Sequence, residues 1–257
     1  MTPADSIKRF TSFDGTEIAY LDAGTGPPVF LLHGFAAEHN VNWVGPGVVD
    51  ALVAAGRRVV AADARGHGRS GKPHDPAAYA GDAMVRDAQA LMDHLGVAPV
   101  DVVGYSMGSL VSSRMVPMEP RARSLILGGI GGRLGGDQRP MNGTALADAL
   151  EADDPDTIAD PVAKLFRAFA DSTGADRLAL AALQRAPVGD RAALEAITVP
   201  TLVLTGDKDV LVGPPDVLAD KIPGATFTVI SGDHLTAVYD PAFPRAIVDF
   251  VASVPER

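Results

Sequence analysis

Val102-Val103-Gly104-Tyr105-Ser106-Met107-Gly108 is the stretch on which the reading of this chain turns. An apolar run, Val100–Val103, leads into G-x-S-x-G, and a helical pattern, Gly108–Met115, follows at once. A serine on such a strand-to-helix turn sits in a strained conformation with its hydroxyl exposed. The flanking glycines belong there because Cβ atoms would collide with neighbouring backbone. The N-terminus of the following helix offers partial positive charge to a developing oxyanion. In a Gly-rich chain the pentapeptide alone can arise by chance. The strand before it and the helix after it point to a nucleophile.

A serine at neutral pH is a weak nucleophile. It needs a base, and the base needs an orienting carboxylate. With the nucleophile on this kind of turn, the chain order is Ser, then Asp or Glu, then His. Of the six histidines, His33, His39, His67, His74, His94 and His234, only His234 follows Ser106. It lies in Ser231-Gly232-Asp233-His234, after the last expected strand. The acid is expected after the strand Thr201–Leu204, in Thr205-Gly206-Asp207-Lys208-Asp209. Asp209 is the choice. Asp207 lies nearer the strand end and is expected to serve the turn. Asp216 reads as a first-turn helix acid. Oxyanion donors complete the set. They are expected to be the backbone N–H groups of Phe35, in Leu32-His33-Gly34-Phe35, and of Met107. His33 precedes the serine and is read as holding its loop.

Outward from the serine, strands and helices alternate. Ile7–Ser12 and Glu17–Asp22 read as a hairpin around Asp14-Gly15. Short apolar runs follow at Val29–Leu32, Val59–Ala62, Val100–Val103, Leu125–Leu127 and Thr201–Leu204, with Thr226–Ile230 last. Runs of that kind fit strands buried on both faces of a parallel sheet. Helical patterns lie at Val48–Ala55, Ala83–Leu95, Gly108–Met115, Val217–Ile222 and Phe243–Val254. The alternation implies a doubly wound α/β domain with ligands beyond the carboxyl ends of the strands. About 65 residues from Gly132 to Ala196 break the pattern, far beyond the usual ~2–6-residue connection. Helical stretches at Ala145–Glu151, Val162–Ala170 and Arg177–Leu183 make a helical lid the expected form. The expected division is a core over 1–131, a lid over 132–196 and the rest of the core over 197–257. In the lid, Met141, Leu165, Phe166 and Phe169 are candidates for packing or substrate contact. Trp43 is expected near the pocket mouth or in the core.

Composition narrows the function. The chain has 257 residues, 47% hydrophobic and 21% charged, which excludes disordered, collagen-like and coiled-coil classes. No apolar run reaches the roughly 18 residues of a membrane span. The first ten residues lack a signal peptide's apolar stretch. There is no cysteine, so disulfides, zinc-thiolate sites and a cysteine nucleophile are excluded, and a cytoplasmic location is expected. A net charge of −10 disfavours nucleic acid as a partner. Gly66-His67-Gly68-Arg69-Ser70-Gly71 matches G-x-G-x-x-G, but Pro73 and Pro76 deny the helix a dinucleotide site needs, so it reads as a structural loop. His39 and His74 lack metal-ligand spacing and are expected at the surface; no metal is expected.

The chain resembles the α/β-hydrolase superfamily over nearly its whole length. The resemblance rests on Leu32-His33-Gly34-Phe35, Asp63-Ala64-Arg65-Gly66-His67-Gly68-Arg69-Ser70, Gly104-Tyr105-Ser106-Met107-Gly108, Gly206-Asp207-Lys208-Asp209 and Gly232-Asp233-His234, in that order. It implies a mostly parallel eight-stranded sheet with helices on both faces, a lid after the sixth strand, a Ser–His–Asp triad and no cofactor. A serine nucleophile disfavours the haloalkane dehalogenase and epoxide hydrolase chemistries, which use Asp. The expected activity is hydrolysis of a small neutral carboxylic ester through an acyl-enzyme. The same triad in the superfamily also serves carbon–carbon bond hydrolysis, perhydrolysis with cofactor-free haloperoxidase activity, lactone opening and thioester cleavage. A reading from another class is a catalytically idle, hydrolase-like protein that binds a small ligand.

Overall fold

The computed structural model describes residues 7–135, 143–187 and 192–255. Met141, singled out from the sequence, lies outside them. The chain opens with a hairpin of β1 (Ile7–Thr11) and β2 (Glu17–Ala23), turned at Gly15 with φ +91°. Then follow β3 (Pro28–Leu32), α1 (Val48–Ala54), β4 (Arg58–Ala62), α2 (Ala83–Leu95), β5 (Val100–Tyr105), α3 (Met107–Met115) and β6 (Ala122–Gly128). Three helices come next, α4 (Gly143–Glu151), α5 (Pro161–Thr173) and α6 (Arg177–Arg185). The chain ends with β7 (Thr201–Gly206), α7 (Pro215–Ala219), β8 (Thr226–Ile230) and α8 (Ala242–Ser253).

The eight strands form one sheet in the order β1-β2-β4-β3-β5-β6-β7-β8. β2 is antiparallel to both β1 and β4; every other pairing is parallel. The expected eight-stranded, mostly parallel sheet is therefore present. The central strands β5, β6 and β7 are buried along their whole length, which is why they read as continuous apolar runs. Alternate side chains feed two cores. Phe30, Val60, Val102, Leu125 and Val203 pack under α2, α3 and α7. Leu31, Val59, Val103, Ile126 and Leu204 pack under α1 and α8 on the other face.

Helix ends follow local chemistry. α2 stops at Gly96, left-handed at φ +62°. α5 starts where Asp160 accepts from the N–H groups of Val162 and Ala163, with Pro161 in the first turn, and ends at left-handed Gly174. Asp176 caps α6 in the same way. α7 departs from expectation: it starts at Pro215, two residues early, and is over by Ala219. Proline is pre-organised for a first helical position, while Pro223 keeps Ile222 out of a continuing helix.

α4 packs on α5 and α6. These three helices share a third core with Phe35 and Ala36 of the loop after β3, through Leu146, Leu150, Phe166 and Leu180. They therefore lie over the carboxyl ends of the strands. Exposed His74 ties this layer to the loop after β4, with Nε2 3.0 Å from Asp176 Oδ2. Among the described residues no helix is long and apolar enough to cross a membrane.

Candidate active site

Ser106 sits between β5 and α3 with φ 50° and ψ −110°. A non-glycine residue in that region costs on the order of 1–3 kcal/mol and is held there by its surroundings. Its N–H donates to Gly128 O at 2.8 Å, which pins the turn to β6. A Cβ on Gly108 would run into the Leu32 carbonyl oxygen, and one on Gly104 would meet the backbone of Gly108 and Ser109. The two glycines thus let α3 press against β3 and β5. The turn lifts the serine hydroxyl clear of the sheet.

The structure brings the three residues chosen from the sequence together. Ser106 Oγ lies 2.8 Å from His234 Nε2. His234 Nδ1 lies 2.7 Å from Asp209 Oδ2. A carboxylate at Nδ1 selects the tautomer with its proton there, leaving Nε2 as the acceptor that faces the serine. Asp209 Oδ1 accepts from Leu211 N at 3.1 Å, so both carboxylate oxygens are engaged. Asp207 serves the turn as expected. Its Oδ1 accepts from Gly232 N at 2.9 Å and so fixes the loop that carries His234. The Tyr105 hydroxyl donates to the His234 carbonyl at 2.8 Å. Burial pushes that phenol's pKa up, so it stays a donor. Its place next to the serine is the one signal of this contact in the sequence.

Met107 and Phe35, the expected oxyanion donors, begin α3 and follow β3 respectively. Neither N–H meets an acceptor among the described residues. At Met107 this follows from helix geometry, since the first helical amides have no intrahelical partner. The turn bearing Phe35 is held from within. Gly34 N donates to Asn42 Oδ1 at 2.7 Å. His33 Nδ1 lies 2.8 Å from Gly34 O, and His33 Nε2 accepts from Ala64 N at 2.9 Å. Burial lowers the pKa of His33, consistent with a neutral ring in this acceptor role. It holds the loop, as its position before the serine suggested.

His39 corrects an expectation. Expected at the surface, it is only 3% exposed. Its Nδ1 lies 2.8 Å from Asp63 Oδ1 and 3.0 Å from Glu38 Oε2. Burial opposes its charge, but the two carboxylates outweigh burial and raise its pKa to about 9. Asp63 is buried too; burial raises its pKa, but the His39 bond, the neighbouring imidazoles and the Arg69 amide together outweigh burial and lower it to about 2. Asp63 also accepts from His39 N at 3.0 Å and Arg69 N at 2.8 Å. Glu38, His39 and Asp63 could in composition hold a cation. Their facing atoms are instead spent on one another and on backbone. The glycine-rich loop that starts at Gly66 is structural: Gly66 N donates to Gly71 O, and Ser70 Oγ donates to Asp63 O.

A cleft of about 360 Å³ of empty space, part of it open to solvent, lies over Ser106 and His234. Phe166 and Phe169, one turn apart on α5, both line it. Phe166 is 2% exposed and meets the rings of Phe35 at 5.9 Å and His234 at 6.1 Å, edge to face. Leu165 points away and is 42% exposed. Trp43 is fully buried and stacks on Phe243 at 6.2 Å, so it belongs to the core.

Comparison with known proteins bears on the family and the fold. A family profile described as alpha/beta hydrolase fold matches residues 27–191. The Mycobacterium tuberculosis protein BpoC, named as a non-heme bromoperoxidase, is 31% identical over 92% of this chain and 98% of its own length. A non-heme haloperoxidase of Rhodococcus erythropolis is 41% identical over 41% of this chain, and the match spans 37% of that protein. Among solved structures, the esterase RhEst1 of Rhodococcus sp. ECU1013 superposes with a TM-score of 0.78 at 27% identity, covering 97% of this chain and 100% of that one.

Proposed function

This chain belongs to the α/β-hydrolase family, and on that premise we propose that it is a serine hydrolase cleaving small neutral carboxylic esters through an acyl-enzyme. One observation carries the reading: the unbroken path from Ser106 Oγ through His234 to Asp209, with spacings of 2.8 and 2.7 Å. His234 Nε2 takes the Ser106 proton as Oγ attacks the ester carbonyl. Asp209 keeps the ring oriented and stabilises its cationic form. The N–H groups of Phe35 and Met107 receive the oxyanion. The proton on Nε2 passes to the leaving alkoxide. Water, activated by the same ring, then hydrolyses the acyl-enzyme and returns Ser106.

Helices α4 to α6, within residues 132–196, act in this reading as a lid over a small-molecule substrate. The apolar lining from Phe35, Phe166 and Phe169 supports an apolar acyl group. The charge of −10 supports a neutral substrate, with neither nucleic acid nor membrane as partner. The cysteine-free composition supports a cytoplasmic enzyme. A second reading, perhydrolysis, is favoured by the full-length match to BpoC. There hydrogen peroxide replaces water, its oxygen takes the acyl group as a peracid, and Ser106 regains its proton.

The test is a panel of p-nitrophenyl esters of graded chain length, with one diketone, one thioester and a peroxide-dependent assay alongside. Ester turnover should dominate, and Ser106→Ala should lower it by at least about a thousandfold while the protein stays folded. An active-site phosphonate that leaves Ser106 unlabelled would instead favour an idle, ligand-binding protein.

A further inference from the structure

The turn after β3 is secured from the core at Gly34 and at His39, through Asn42 and Asp63. Ala36 lies between these anchors and directly follows Phe35. Its φ of 58° falls in the left-handed region, where a side chain is disfavoured. Its carbonyl accepts from the Thr173 hydroxyl at 2.8 Å. Thr173 is the last residue of α5 and comes 137 positions later in the chain. The same helix presses Phe166 edge to face on Phe35 at 5.9 Å.

We propose that Thr173 is a positioning residue: its hydroxyl, carried by docked α5, holds Ala36 in its left-handed conformation and so aims the Phe35 N–H at the developing oxyanion. The inference rests on the ester-hydrolase reading of the site. The hydroxyl has an alternative that makes the contact reversible. Its oxygen lies 3.2 Å from Phe169 O and 3.1 Å from Ala170 O, carbonyls of its own helix. A hydroxyl has one proton to donate. When α5 lifts from the turn, that proton goes to a helix carbonyl and no donor is stranded. Docking α5 therefore transfers a hydrogen bond from helix to turn, and the oxyanion hole is complete only with the helix in place over substrate.

An interaction that aims an oxyanion donor acts in the transition state. Its loss lowers kcat and leaves KM nearly alone. Full removal of one donor typically costs about 100–1000-fold. A donor kept but loosened should cost less, on the order of tenfold.

The experiment compares Thr173→Val with Thr173→Ser on a soluble short-chain p-nitrophenyl ester, with thermal midpoints measured alongside. Valine keeps the shape and loses the proton. The expected result is a kcat about tenfold lower with KM within about twofold, a midpoint lowered by no more than about 4 °C, and recovery of kcat in the serine variant. A valine variant with wild-type kcat, or with KM alone altered, overturns the proposal, as does a serine variant as slow as valine. If valine does not fold, Thr173→Ala is read by the same criteria. The rate of Ser106 labelling by a phosphonate is a second readout, because the phosphonyl oxygen needs the same two amides. Slower labelling in the valine variant supports the proposal and wild-type labelling overturns it. A wild-type protein that takes no phosphonate overturns the ester-hydrolase reading itself, a result separate from any difference among the Thr173 variants.

Discussion

Asp207 and Asp209 lie two residues apart on one loop and face different partners. Asp209 reaches the imidazole of His234, and Asp207 reaches the amide of Gly232. Asp209→Asn keeps the shape but removes the charge that balances a cationic ring. It should lower ester turnover by about 10³–10⁴-fold. Asp207→Asn leaves a carbonyl oxygen that can still accept from Gly232, so turnover should stay within about tenfold, at a cost of about 1 kcal/mol. Steady-state kinetics of the pair decide it; a slower Asp207 variant would move the acid to the other carboxylate. Gly108 makes a different kind of demand. Any Cβ there meets the Leu32 carbonyl, which is backbone and cannot swing away. Gly108→Ala should therefore displace α3 from β3, with a large fall in both the thermal midpoint and turnover.

At the level of elements, β6 is tied to α8 far from the chemistry. Arg123 on β6 makes a two-pronged pair with Asp101 on β5, at 2.8 and 2.6 Å. The same guanidinium donates to the Val254 and Val251 carbonyls at the end of α8, at 3.1 and 3.0 Å. Arg123 is 4% exposed and Asp101 1%. Arg123→Leu would take from the buried Asp101 carboxylate its two-pronged partner, leaving it Ser124 Oγ at 2.6 Å and the Arg57 guanidinium at 3.8 Å, and would take from the Val254 carbonyl its Arg123 donor. The expected loss is about 3–5 kcal/mol in urea unfolding. Turnover per folded molecule should not change, because the pair lies near the strand starts while Ser106 lies beyond the strand ends. A variant as stable as the wild type would show that the pair contributes nothing net.

Across the whole molecule, buried titrating groups bound stability from both sides. His39 is raised from 6.5 to about 9, so its contribution is complete below about pH 6.5 and is lost as pH climbs through 9. His67 moves the other way. Burial, aided by the nearby His33, lowers it to about 3, so stability falls as pH drops from 6.5 toward 3. Asp63, lowered from 3.8 to about 2, adds a further loss as pH falls between those values. Thermal midpoints against pH should form a dome with its top near pH 6.5. His39→Gln should lower the dome and flatten the limb between 6.5 and 9. If that limb keeps its slope in the variant, another group is responsible. The lid sets the second whole-molecule expectation. Soluble short-chain esters should turn over faster than emulsified long-chain ones, with no jump in rate at an oil–water interface. A higher rate on the emulsion would show a lid that opens onto lipid.

Much was legible in the chain because its signals are local. Strands β3 to β7 stood out as apolar runs bounded by turn residues, since a strand buried on both faces has no polar side to display, while β1 and β2 were legible as a hairpin around Asp14-Gly15. Ser106 was legible from its flanking glycines, and His234 and Asp209 from chain order and loop position. The structure sets His234 at hydrogen-bond spacing from Ser106, and Asp209 at hydrogen-bond spacing from His234. What the chain could not display are contacts whose partners lie far apart along it. His39 reads as a surface residue, yet it is buried because Asp63, 24 residues on, offsets the cost of burying its charge. The left-handed turn at Ala36 carries no glycine to announce it, and the hydroxyl that meets its carbonyl comes from a helix 137 residues away. Periodicity and turn chemistry act over a few residues and so are written in the sequence. The pairing of buried polar groups depends on which surfaces meet, and only the packed molecule decides that.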